Sequence, residues 1–255
     1  MQKNIAVFGG DPGRVTIFGE SAGAGSVGHL LVSPPAQGLF HRAILQSGTG
    51  LGPKRHLRER LNAQEPMEQI GLRIARDLGC DNATDSLAAF RAISVERLLE
   101  ASRPAQGLAP GDPGTRFWPI VDGWVVPDEP RLLYERGQFH RVPLLAGSNA
   151  DEATLFLRQF DVKRGYEALA RSYAGPLAEP LMKLFPVPGG DDRDVTAAVS
   201  RLVSVISFIA PARVMARTFS KGWQKEVLYH FTRVSPGMAR RSLCATHTAA
   251  IGYVF

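Results

Sequence analysis

Four short apolar runs divide the chain: Val15 to Phe18 (VTIF), Arg42 to Gln46 (RAILQ), Pro143 to Ala146 (PLLA) and Glu226 to Phe231 (EVLYHF). Each is short, rich in branched or aromatic residues and bounded by turn formers, so each predicts a strand, the first three of them buried. Between the strands, apolar and charged residues alternate at helical spacing. IGLRIARDLG and SLAAFRAI predict several amphipathic helices within 55–103, and residues 164–218 read as largely helical, broken at FPVPGGDD. Residues 1–8 form a polar, helix-like start that runs into the turn GGDPGR. A tight small-residue turn at 19–25 leads into a helix ending near Leu31, before Pro34 and Pro35. Residues 104–115 (PAQGLAPGDPGT) predict a loop, and Trp118 to Val126 an extended stretch around an Asp122-Gly123 turn. No internal repeat or low-complexity tract is present. Buried strands separated by helices predict an α/β domain with a mostly parallel sheet flanked by helices. A dinucleotide-binding version is excluded, because no GxGxxG follows a strand and opens a helix.

Composition changes this picture little. The chain has 255 residues, 44% hydrophobic and 21% charged, enough for a core that needs no disulfide staples. The net charge of +6 comes mostly from 24 arginines spread along the chain. The densest basic cluster, Lys54, Arg55, Arg58 and Arg60 around Glu59, has no interleaved aromatics, so it reads as solvated surface and not as a nucleic-acid site. Cys80 and Cys244 lie far apart with no metal-type spacing, which predicts two free, buried thiols and no metal. No run of about 18 apolar residues predicts a membrane span. The first residues lack the apolar stretch of a signal peptide, which leaves the compartment open.

The chemistry concentrates at Gly19-Glu20-Ser21-Ala22-Gly23, directly after VTIF. This is the GxSxG nucleophile elbow in its required setting of strand, tight turn and helix. The hydroxyl must project from the sheet edge in a strained conformation, and small neighbours let strand and helix approach closely. The helix N-terminus brings positive dipole toward a developing oxyanion, with the Ala22 N–H as the natural first donor. An ordinary turn serine is the bland alternative.

The stretch FGGDPGRVTIFGESAG, Phe8 to Gly23, resembles the signature of type-B carboxylesterases, the cholinesterase-like branch of the α/β-hydrolases. The likeness continues in family order through GLFHRAILQSG, FWPIVDGWVVP, HRVPLLAGSNADEATLF, FIAPARVMA, VLYHFTRVSP and HTAAIGYVF, and so covers essentially the whole chain. The resemblance implies a catalytic triad in the order Ser, Glu, His. Its acid is the Glu of an N-x-D-E motif, here Glu152 in Asn149-Ala150-Asp151-Glu152, with Asp151 as the alternative and a helix-capping acidic pair as the non-catalytic reading. Its base is the histidine opening HTAAIGYVF, His247. Thr248, Ala250 and Gly252 stand where the family usually has Gly, Glu and Pro, which leaves the course of that loop open. His29, His41, His56, His140 and His230 read as structural. The family also suggests support from Glu20, beside the nucleophile, and from Ser47 in LQSG; a buried acid and a turn serine are the plainer alternatives. Ser86 stands near the position of the family's disulfide partner for Cys80, so that bridge is not expected. Asn82-Ala83-Thr84 is a formal glycosylation sequon of the kind common by chance.

The resemblance further implies that residues 1–255 correspond to the C-terminal half of a family member, with a helical insertion at roughly 55–103. The strands before VTIF and the Gly-rich loop that completes the oxyanion hole would lie upstream of Met1. The expected activity is hydrolysis of small-molecule carboxylic esters, with no metal or cofactor. The expected partners are the complementary half or a second copy, with no nucleic acid and no membrane. Two alternatives stand beside it: a truncated, inactive remnant, and a non-catalytic, adhesion-type binding member of the superfamily.

Overall fold

The computed structural model describes residues 1–61, 64–105, 115–157, 166–187, 189, 191–221 and 225–254, without the side chains of Tyr173 and Arg240. Most of the loop expected at 104–115, parts of the FPVPGGDD break and Phe255 lie outside the described residues.

The chain opens with 3-10 turns at Ile5–Phe8 and Pro12–Arg14. It then alternates strands and helices: β1 (Thr16–Glu20), α1 (Ala22–Leu31), β2 (Arg42–Gln46), α2 (Met67–Asp77), α3 (Ser86–Ala92), α4 (Val95–Ser102), α5 (Pro130–Glu135) and β3 (Leu144–Asn149). After β3 come α6 (Tyr166–Ala174), α7 (Ala178–Leu184), α8 (Asp192–Ser204), α9 (Ala210–Ser220), β4 (Glu226–Phe231) and α10 (Pro236–Arg240). The four strands form one sheet in the order β1-β2-β3-β4, every pair parallel. Each strand therefore lies beside its predecessor, and each crossover carries at least one helix, as parallel pairing requires.

Alternation along the strands decides which residues are buried. Ala43 and Leu45 of β2 and Leu144 and Ala146 of β3 point to one face. There Val27 and Leu31 of α1, Leu133 and Tyr134 of α5, and Met215 and Phe219 of α9 close over them. The opposite face carries the in-register row Phe18, Ile44, Leu145 and Val227. That row is only half-buried: Phe18 is 54% exposed and Val227 53%. The VTIF strand is thus not buried as its apolar run predicts; it is an edge strand, and Phe18 on its outward side stays half-exposed. Trp118 to Val126 turns at Asp122-Gly123, with Gly123 at φ 81°, and Val121 before the turn makes an isolated parallel bridge with His56. Asp122 Oδ1 accepts the N–H groups of Trp124 and Val126, which removes from a ladder the donors it would use.

Two smaller clusters flank the sheet. Leu169, Ala170, Val199, Leu202 and Val203 of α6 and α8 pack with Ala153. Ile70, Ile74, Leu78 and Cys80 gather Phe90 and Ala101 of α3 and α4 over α2. The stretch Asp192–Ser220 is one continuous helical run, long and apolar enough to cross a bilayer by length and composition. Its apolar side is instead spent inside the molecule: Leu202, Met215 and Phe219 are fully buried.

His29 of α1 is buried beneath the loop that follows β2. Burial, and secondarily the nearby Lys54 ammonium, push its pKa down from 6.5 to about 4. The unfolded chain therefore binds a proton between those values that the folded chain refuses. Stability should rise with pH from about 4 to 6.5 and level off above, by up to about 3 kcal/mol. Chemical denaturation across pH 4 to 8 should show this slope, and His29→Gln should flatten it; an unchanged slope would assign the acid sensitivity elsewhere.

Candidate active site

Ser21 occupies the single residue between β1 and α1, with φ 56° and ψ −118°. That conformation is costly for any residue with a Cβ, so the surroundings must enforce it. The Ser21 N–H donates to Gln46 O at 2.9 Å, and the Ser21 carbonyl accepts the Gly25 N–H at 3.0 Å. A Cβ at Gly19 would fall on the backbone of Gly23, and one at Gly48 on the carbonyl oxygen of Ser21. These two glycines are therefore needed for close approach: strand, helix and the loop after β2 cross here with no room for a methyl group. Ala22 begins α1 and is exposed, and its N–H has no acceptor within the helix.

Two strands away, β3 ends at Asn149 and runs into a 3-10 turn, Glu152–Leu155. Glu152 is fully buried. Its Oε1 accepts the Asn149 N–H at 2.7 Å, and its Oε2 lies 2.7 Å from His247 Nδ1. The carboxylate can only accept there, so Nδ1 carries the proton. The His247 backbone N–H also donates to the Glu152 carbonyl, at 3.3 Å. Phe156 and Phe208, stacked on each other, pack against the imidazole with ring centroids 5.0 and 4.9 Å away. Phe208 lies in a π-helical turn, Val205–Ile209, closed by the Ala210 N–H reaching back to Val205 O. Pro211 follows at once; it has no N–H for the ordinary ladder, and its ring crowds the preceding turn.

The far side of the imidazole faces Glu20. His247 Nε2 lies 3.3 Å from Glu20 Oε1, and neither atom has a hydrogen bond among the described residues. No hydrogen bond joins His247 to Ser21 in this arrangement. Burial raises the pKa of Glu20, opposed by His247 and by the Thr248 N–H, with Glu152 adding to the rise. Asp151 faces away from the imidazole: its Oδ2 accepts the Ala245 N–H at 3.0 Å. Ser47 is buried at the end of β2 with φ 54°. Its N–H donates to Gly147 O, and its hydroxyl binds neither Glu152 nor His247. Cys80 is buried and Cys244 half-buried, both as free thiols. Among the described residues no three His, Cys, Asp or Glu side chains are grouped to hold a metal ion.

No local pattern predicts the aromatic wall beside His247. Phe156 follows the N-x-D-E motif with no periodic pattern of its own, and the position of Phe208 depends on a helical irregularity whose trace in the sequence is Pro211.

Four parallel strands flanked by helices make this an α/β fold of the hydrolase type. It matches the crystal structure of Aspergillus niger EstA with a TM-score of 0.78 at 24% identity, over all of this chain and 50% of that one. The chain belongs to the carboxylesterase family, which it matches over residues 1–255. Among its relatives are the fumonisin B1 esterase of Sphingopyxis macrogoltabida, 35% identical over all of this chain and 44% of that protein, and neuroligin-2 of Rattus norvegicus, 38% identical over 62% of this chain and 18% of that protein. The chain thus spans less than half the length of these curated relatives.

Thr248 has φ 69° and is exposed. A β-branched residue is strained there, by about 1–2 kcal/mol or more. Thr248→Gly should relieve more than it loses through added freedom of the unfolded chain, a net gain of about 1 kcal/mol. That corresponds to a rise in Tm of about 2–4 °C. A calorimetric scan with an equal or lower Tm would show that the loop carries no such strain.

Proposed function

We propose that this chain carries the nucleophile, base and acid of a hydrolase acting on small-molecule carboxylic esters through an acyl-enzyme. The observation that carries the reading is the buried 2.7 Å contact between Glu152 and His247 Nδ1, at the same end of the sheet as the Ser21 elbow. With the proton fixed on Nδ1, Nε2 is the basic nitrogen. The imidazole turns from Glu20 toward the Ser21 hydroxyl and takes its proton as Oγ adds to the ester carbonyl. The tetrahedral oxyanion is met by the Ala22 N–H and the N-terminal dipole of α1. Collapse expels the alcohol, which leaves with the proton from Nε2. Water, deprotonated by the same nitrogen, then releases the acid and restores Ser21. Glu152 steadies the imidazolium formed midway, and Glu20 adds negative charge on its other side. The steps call on no metal or cofactor.

A non-catalytic reading has one observation in its favour, the neuroligin among the relatives. The retained Ser21 and its strained elbow weigh against it, since a binding surface has no use for that strain. A fluorophosphonate probe separates the two. It should label Ser21 in the 255-residue chain or in a longer form, and Ser21→Ala should abolish labelling. In a form that turns over an activated ester, Ser21→Ala should lower kcat by about 10⁶. Undiminished labelling or turnover in that variant would move the nucleophile elsewhere, and a wild-type protein inert in both forms would favour the non-catalytic reading.

The half-covered sheet face supports a partner polypeptide, either one that completes the layer or a second copy. Parallel sheets are ordinarily covered on both faces, and exposed apolar patches of this kind associate. Light scattering on the isolated chain should therefore give a mass above the 27.7 kDa of one copy. A clean monomer at micromolar concentration would mean that the open face is tolerated in water.

A further inference from the structure

We infer that Asp151 and Thr154 are positioning residues for His247: they hold the strained loop that presents its imidazole to Glu152. The inference rests on the catalytic reading above and adds to it what keeps the base in place.

The loop needs a restraint. Ser242, Cys244 and Thr248 have φ values of 55°, 56° and 69°, three left-handed non-glycine residues around one histidine. Such residues persist only where the surroundings over-determine them. The surroundings here are one short segment. The Asp151 N–H donates to Ala245 O and the Asp151 carboxylate accepts the Ala245 N–H, each at 3.0 Å, so residue 245 is gripped from both sides. Thr154 Oγ1 lies 2.7 Å from Leu243 O, 2.7 Å from Asp151 O and 2.8 Å from Thr246 Oγ1. Asn149 Nδ2 donates to Thr246 O at 2.6 Å. Residues 149–154 therefore supply both the carboxylate that orients the imidazole and the frame that sets the backbone beside it. Asp151 and Thr154 touch no reacting atom; they act through the backbone of 243–246.

A purely structural role would lower stability without moving the imidazole, so the test reads the imidazole itself. The full 255-residue chain is prepared as wild type, Asp151→Ala, Asp151→Asn, Thr154→Val and Thr154→Ser, with Glu152→Gln as a control. Proton NMR follows the hydrogen-bonded Nδ1 proton of His247, a fluorophosphonate follows the reactivity of Ser21, and circular dichroism follows folding. In Asp151→Ala and Thr154→Val the Nδ1 resonance should broaden or vanish while the folded signal remains, and labelling should slow by about 10- to 100-fold, the cost of a misplacement near 1 Å. Asp151→Asn and Thr154→Ser keep an acceptor and a hydroxyl and should restore both. If Asp151→Ala fails to fold, Thr154→Val carries the test, since it leaves both Asp151 bonds in place. Retention of the resonance in the folded Ala and Val variants, or no rescue by Asn and Ser, overturns the inference. Retention of the resonance in Glu152→Gln instead overturns the catalytic reading, because the proton would then not belong to a bond with that carboxylate.

Discussion

A carboxyl group with no solvent contact must be supplied with partners by its own fold. Glu152 is such a group, and much of the candidate site follows from satisfying it. Left unpaired, a buried carboxylate would take up a proton or unfold its surroundings. Here one oxygen takes the Asn149 N–H at the end of β3 and the other takes the Nδ1 proton of His247. The first bond requires a tight turn immediately after the strand; the second requires a loop from far along the chain to come back to it. The bridge between Asp151 and Thr246 and the Ser204 hydroxyl that accepts the Ala153 N–H hold that turn between the returning loop and α8. The sheet end, the loop and the helix are thus brought together at one anionic group.

How far the sequence was readable depends on what each feature is made of. Strand positions follow from local apolar runs, and all four were legible. The burial of β2 and β3 was legible as well; that of β1 was not, because burial depends on neighbours, and VTIF has the pattern of a central strand but lies at an edge. β3 also outruns its apolar core, since Gly147, Ser148 and Asn149 pair with Tyr229, His230 and Phe231 through backbone groups that ignore side-chain polarity. Ser21 was legible because its geometry forces a local pattern of small residues. Glu152 and His247 were legible only through resemblance, since nothing local to either predicts a meeting 95 residues apart. Glu20 facing Nε2 and the two phenylalanines beside the ring are products of packing and leave no periodic trace.

Phe156 and Phe208 form an apolar wall against which the imidazole rests. The two side chains stack nearly parallel to each other, 6° apart, and so present one aromatic surface to the ring. At the ring's other nitrogen the polar neighbour is Glu20, whose Oε1 lies 3.3 Å from Nε2.

The order β1-β2-β3-β4 has a consequence for how such a chain can vary over evolutionary time. Every strand docks against the one made before it, but the connection from β2 to β3 runs through the whole of α2 to α5. The entropy of closing a loop grows only with the logarithm of its length, about 0.6 kcal/mol per doubling. Helices α2 to α4 form their own small core around Ile70 and Ile74 and take no part in the sheet. That excursion can therefore lengthen, shorten or be replaced while β3 still arrives beside β2 and carries Glu152 to the same place. The segment freest to diversify is thus joined at both ends to the part of the fold least able to change.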